Sequence, residues 1–185
     1  MRLVKPSLVY LEPYRAALET GWSPRTTRPE AAAEELQAIS KDPNAFLGKL
    51  DDPEGRGDDI ELPDGSFVKR LPSFRRWIWA DGFCGSIELR WQQGTNALPP
   101  TCLGHIGYAV VPWRRREGLA TAALGAILPE ARQVGLTAVD LTADPGNTAS
   151  IRVIEANGGQ LVARRDKLAA HGDGQELLFR IDLPT

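Results

Sequence analysis

Apolar and polar positions follow two rhythms along this chain. After a short opening strand at residues 2–5, the spacing is helical. Residues 11–19 (LEPYRAALE) repeat apolar positions at helical intervals, with Gly21 beyond them as a stop signal. Residues 29–39 make a second helix: Pro29 sits near its start, acids follow in the first turns, and Leu36 and Ile39 form an apolar stripe. Residues 41–65 are rich in Asp, Gly and Pro and carry no period. A loop of that length in a compact domain is either a mobile element on the substrate side or an insertion.

From residue 75 the rhythm changes to that of strands. Residues 75–80 (RRWIWA) and 85–91 (GSIELRW) flank Asp81-Gly82, a dipeptide suited to a tight hairpin. In the second strand Ile87, Leu89 and Trp91 share one face, and Glu88 and Arg90 the other. A loop at 92–101 contains Pro99-Pro100, and residues 104–111 (GHIGYAVV) form a strand that Pro112 ends. Residues 119–133 are rich in helix formers, although Gly125 and Pro129 are expected to kink or shorten the helix. A strand at 137–142 follows, then a helix at 148–157 terminated by Gly158-Gly159. Strands at 161–165 and 176–183, joined by a polar loop through His171, close the chain. This order predicts an α/β chain of the α+β type, one domain over 1–185, with a largely antiparallel front half.

Composition acts mainly by exclusion. The chain has 185 residues and a formal net charge of −2, with 42% hydrophobic and 25% charged residues, an ordinary globular balance. Without a positive excess, nucleic acid is not an expected partner. Cys84 and Cys102 lie far apart with no metal-ligand spacing, so they are expected as free thiols, with no metal site. The first residues lack the apolar core of a signal peptide, and no apolar run approaches a bilayer's thickness. A cytoplasmic location without membrane contact is therefore expected.

The chemistry concentrates in residues 110–121 (VVPWRRREGLAT). A strand ends at a proline, a loop dense in Arg and Gly follows, and a helix begins near Gly118. Such a loop aims backbone N–H groups at one point and adds the positive end of a helix dipole. Gly118 and Ala120 keep side-chain bulk away, while Arg114, Arg115 and Arg116 supply charge for phosphates. No Gly-Lys-Ser/Thr closes the loop as in a P-loop, and no Gly pair precedes Gly118 as in a dinucleotide fingerprint. Taken alone, the segment reads equally as a phosphate cradle or as a plain strand-to-helix turn with exposed arginines.

Arg115-Arg116-Glu117-Gly118-Leu119-Ala120 resembles the Arg/Gln-x-x-Gly-x-Gly/Ala motif of the GNAT superfamily of N-acetyltransferases, in the same strand–loop–helix setting. Residues 144–150 (DPGNTAS) followed by 153–159 (VIEANGG) resemble the family's next strand–helix unit. LVKPSLVYLEPY, IELRW and GHIGYAVVPWRRREGLAT together look like a largely uncharacterised bacterial branch of that superfamily, and the resemblance runs from about Leu3 to Leu183. It implies a mixed, mostly antiparallel twisted sheet flanked by helices, with its central strands splayed, and acetyl-CoA as cosubstrate. The backbone amides of Arg116, Glu117, Gly118, Leu119, Ala120 and Thr121 would hold the pyrophosphate, with Arg115 at the Arg/Gln position. The strand carrying Tyr108 and Val110 would pair with the pantetheine arm and part from the strand near 139–142. Asn147 would hydrogen-bond that arm, with Ser150 beside it; both types also favour helix capping, and the two roles are compatible.

The implied reaction is direct attack by a primary amine on the thioester. It needs a proton acceptor for the amine, an oxyanion donor such as a backbone N–H near Val110, and a proton for the leaving thiolate. Glu88 is the first candidate base, with a base acting through water beside it; an ion pair with Arg90 is the plainer role for Glu88. His105 falls on the strand face opposite Tyr108 and Val110, and His171 in a polar loop. Many GNAT enzymes place a proton-donating tyrosine where this chain has Ile154, so no tyrosine carries over there. The acceptor, a small amine or a peptide, is expected to meet the loops at 41–70 and 92–103 and the C-terminal hairpin, with Trp22, Trp77 and Trp79 available as aromatic walls and Trp91 suited to the core. The assembly is expected as a monomer or homodimer. The rival readings are a non-catalytic acyl-CoA-binding regulatory module and a plain α/β domain that binds nothing.

Overall fold

The computed structural model describes residues 1–61, 65–167 and 173–184. The chain opens with β1 (Arg2–Val4), α1 (Leu8–Glu19), α2 (Ala31–Lys41) and α3 (Pro43–Lys49). Then come β2 (Asp51–Asp52), β3 (Ile60–Glu61), β4 (Phe67–Val68), β5 (Ser73–Trp79), β6 (Phe83–Arg90) and β7 (Ile106–Val110). A 3-10 turn (Pro112–Arg114) leads to α4 (Leu119–Gln133), β8 (Ala138–Ala143), α5 (Thr148–Glu155), β9 (Gln160–Asp166) and β10 (Gln175–Asp182).

Two larger antiparallel sheets carry most of these strands, while β3 and β4 pair with each other as a separate two-stranded ribbon. The first runs β1-β5-β6-β7, with β2 sharing the outer edge of β5; the second runs β8-β10-β9. Asp81 at φ 56° and Gly82 at φ 138° make the hairpin between β5 and β6. Side chains alternate across the first sheet. Trp77 and Phe83 pack with Tyr14 and Trp22 under α1–α3, whereas Ile78, Ile87 and Leu89 pack with α4 and the second sheet. Trp22, Trp77 and Trp91 are thus core residues rather than cleft walls, whereas half-buried Trp79 packs on Tyr10 at 4.7 Å between ring centroids and lines an open hollow with Met1, Arg2, Ala80 and Asp81.

The aperiodic stretch 41–65 is not loop throughout, since α3, β2 and β3 fall within its described residues. The Asp42 carboxylate accepts from the N–H groups of Asn44 and Ala45 at 2.9 and 3.0 Å and starts α3, which buries Phe46. Seven residues are too few to display a period. Nor do Gly125 and Pro129 interrupt α4. Fully buried Leu124 and Ile127 each contribute about 1.5–3 kcal/mol, which offsets the roughly 3 kcal/mol that a helical proline costs. The loop through His171 lies outside the described residues, and among the described residues no helix is long and apolar enough to cross a membrane.

The sheets meet at one point. Gly104 bridges Leu141, with the His105 N–H donating to the Asp140 carbonyl at 2.7 Å and the Thr142 hydroxyl to the Leu103 carbonyl at 2.6 Å. A Cβ on Gly104 would lie 2.8 Å from the Asp140 carbonyl oxygen, so only glycine permits this approach. Beyond it β7 and β8 form no ladder. The central strands are splayed, and the opening between them faces the loop that ends β7.

Candidate active site

Pro112 cannot extend the ladder, and the chain turns through the 3-10 segment into the start of α4. Arg116 at φ 68° and Gly118 at φ 73° both lie in the left-handed region and reverse the chain tightly. The first bond of α4 runs from the Ala122 N–H to the Gly118 carbonyl, so the N–H groups of Arg116, Glu117, Gly118, Leu119, Ala120 and Thr121 have no acceptor among the described residues. Nothing lies within 4 Å of a Cβ placed on exposed Gly118. An unshared row of amides at the positive end of α4, open to solvent over a bare glycine, fits a diphosphate.

The three arginines divide their work. Arg114 is braced, with its guanidinium donating to Glu117 at 2.9 Å and to the Ala80 carbonyl at 2.9 Å, which fixes the loop rather than serving a phosphate. Arg115 donates to the Val110 carbonyl at 3.3 Å. Arg116 is exposed and free of ion pairs among the described residues.

β7 presents one open edge. The Val111 N–H donates to the Cys84 carbonyl at 2.9 Å and the Arg90 N–H to the His105 carbonyl at 2.8 Å, so beyond His105, whose own N–H turns to β8, the odd-numbered residues Gly107, Ala109 and Val111 bond to β6. Ile106, Tyr108 and Val110 therefore turn their backbone groups toward the splay. Across it, the Tyr108 hydroxyl lies 2.8 Å from the Ser150 hydroxyl on α5. Burial raises the Tyr108 pKa against the lowering effect of that hydrogen bond, which keeps the phenol protonated. The Asn147 side-chain oxygen accepts the Ser150 N–H at 3.1 Å and caps α5, leaving its amide NH2 exposed. Capping and contact with an extended ligand are compatible in this arrangement. Ile154, which takes the place of the expected tyrosine acid, is fully buried.

On the opposite face of the first sheet lies a charged network that joins elements distant in sequence. Arg75 donates to Glu35 on α2 at 2.9 Å, to the Tyr14 hydroxyl on α1 at 3.1 Å and to Glu88 on β6 at 3.3 Å, and Tyr14 donates to Glu35. Arg90 adds a 3.9 Å ion pair to Glu88. Burial pushes the Glu88 pKa up, but Arg90, Arg75 and Arg25 outweigh it and hold the carboxyl at about 2. Such a carboxylate is a weak proton acceptor, and it is ion-paired to Arg75 and Arg90. His105 is fully buried, and its Nδ1 accepts the Asp140 N–H at 2.9 Å. The neutral ring then carries its proton on Nε2 and has no lone pair left to take another. Burial lowers its pKa and keeps it neutral. Sequence reasoning did not find Tyr14, Glu35, Arg75 or Arg25, because nothing in their local spacing signals the contacts among them.

An Acetyltransferase (GNAT) domain family model matches residues 14–160. The chain belongs to the GNAT acetyltransferase family. Acetyl-CoA is accordingly its cosubstrate, and the free amide row and the open edge of β7 fit the diphosphate and the tether. Solved GNAT structures share the fold at low identity. The microcin C7 self-immunity acetyltransferase MccE, in complex with acetyl-CoA and AMP, is 10% identical with a TM-score of 0.63, covering 97% of this chain and 91% of that one. RimL, a ribosomal alpha-N-protein acetyltransferase in complex with coenzyme A, is 11% identical with a TM-score of 0.62, at 98% and 93% coverage. RimJ from Mycobacterium smegmatis is 18% identical with a TM-score of 0.57, at 97% and 80%. No curated protein sequence matches the chain.

Proposed function

We propose that this GNAT protein is an N-acetyltransferase that moves an acetyl group from acetyl-CoA to a primary amine by direct attack. The carrying observation is the unshared amide row from Arg116 to Thr121 beside the open edge of β7. Acetyl-CoA supplies an activated thioester carbonyl. Arg116, Glu117, Gly118, Leu119, Ala120 and Thr121 grip the diphosphate through backbone N–H groups, with Arg115 and Arg116 adding charge. Tyr108 and Val110 pair with the pantetheine arm, Asn147 donates to it from its free NH2, and the Val110 N–H faces the developing oxyanion.

In net terms an N–C bond forms as the C–S bond breaks; the amine loses one proton and the thiolate gains one. The Tyr108–Ser150 hydroxyl pair supplies that proton, standing in for the tyrosine that Ile154 replaces. With Glu88 held ionised by arginines, water takes the amine's proton and Glu88 orders the face it arrives from. The same fixed Glu88 favours a second reading, an acyl-CoA-binding regulatory module without turnover.

Titration calorimetry with acetyl-CoA tests the cradle. Gly118→Trp should lose binding by about tenfold or more and stability by only about 1–2 kcal/mol, the cost of a side chain in the left-handed region. Unchanged affinity in that variant would remove the cradle. Binding without CoA release across amines and peptides would favour the regulatory module.

A further inference from the structure

The charged face holds a cavity of about 290 Å³ between α2, α3, β5 and β6. Five arginine and lysine side chains line it against three carboxylates. Those carboxylates are already engaged: Glu34 by Arg28 at 2.7 Å, Glu35 by Arg75 at 2.9 Å, and Glu88 by Arg75 and Arg90. Arg25, in the segment between α1 and α2, has no hydrogen bond or ion pair for its guanidinium among the described residues. Burial pushes its pKa down, the mark of a cation withdrawn from water without a counter-charge to match; Glu88 only partly opposes this.

Position gives this surplus a meaning. Glu88, one of the residues lining the cavity, has Gly107 on β7 as its register partner, next to Tyr108. The cavity lining thus includes β6, the strand that pairs with β7, whose free edge is assigned to pantetheine. It cannot serve the phosphates of CoA, because α4 packs on the other face of the same sheet. Its size suits a group no larger than an amino acid.

We propose that this cavity receives an anionic group of the acceptor, so that the acceptor is a small amine bearing a carboxylate or phosphate close to its amino group, anchored by Arg25. The inference rests on the acetyltransferase reading and names the substrate class for the same site. A guanidinium presents paired N–H donors to either anion. Arg75, locked between Glu35 and Glu88, fixes the cavity wall.

The test compares CoA release at saturating acetyl-CoA for matched amines: amino acids against their carboxamides, and O-phosphoethanolamine against ethanolamine. Wild-type protein should favour the anionic member of a pair. Arg25→Gln should cut that preference by about tenfold or more, through KM, and Arg25→Lys should restore part of it. Because each pair is compared between proteins, differences in amine basicity cancel. The pair with the larger preference identifies carboxylate or phosphate as the anchor. Acetyl-CoA affinity, measured separately by calorimetry, should match in all three proteins. The proposal is overturned if Arg25→Gln leaves the preference unchanged. It is also overturned if acetyl-CoA binds and no anionic amine outpaces its uncharged counterpart. Absence of acetyl-CoA binding in wild-type protein would instead bring down the transferase reading itself.

Discussion

Tyr108 and Glu88 show how environment assigns jobs to ionisable side chains. Tyr108 is kept protonated by burial and hydrogen-bonded to Ser150, so it can give a proton but not readily take one. Tyr108→Phe should lower kcat about a hundredfold while leaving acetyl-CoA affinity nearly unaltered; wild-type turnover in that variant would remove the hydroxyl pair from the mechanism. Glu88 is the reverse case. Its folded pKa of about 2 lies below the ordinary 4.5, so on acidification the unfolded chain takes up the proton first. Its stabilising contribution is whole above about pH 4.5 and gone below about pH 2. Glu88→Gln should therefore cost about 1–3 kcal/mol at neutral pH, and the gap from wild type should shrink by about half by pH 3. Thermal melts of both proteins across this range check it. A gap independent of pH would show that the arginines do not hold the carboxylate as described.

Among the elements, the seam between β7 and β8 depends on Gly104. Gly104→Ala drives a Cβ against the Asp140 carbonyl and holds φ at 132°, an angle that suits glycine. The loss should be about 1–3 kcal/mol in urea denaturation, with weaker acetyl-CoA binding because the splay shifts. Stability within a few tenths of wild type would mean that the bridge is not tight. Much of this architecture was legible in the chain itself. Asp81-Gly82 marks the hairpin, and Pro112 and Gly118 bracket the loop, because turns depend on a few local dihedral angles. α3 was hidden since its one buried side chain, Phe46, gives no period. The Tyr14–Glu35–Arg75 cluster was hidden for another reason. Its partners lie 40 and 61 positions apart, and only the packing of α1 and α2 on the sheet brings them together.

Across the whole molecule, the two larger sheets joined at one bridge leave a gap open to an extended ligand. Acetyl-CoA at a hundred times its Kd should add about 2.7 kcal/mol to stability. The resting protein should also betray the gap directly. Amide protons near the middle of a fold ordinarily resist deuterium uptake, yet those of Ile106, Tyr108 and Val110 have no carbonyl to hold them among the described residues. They should exchange with heavy water as quickly as amides at a chain end, then slow sharply once cosubstrate is added. The centre of this protein would thus behave as its least protected backbone until the reaction's own reagent closes it.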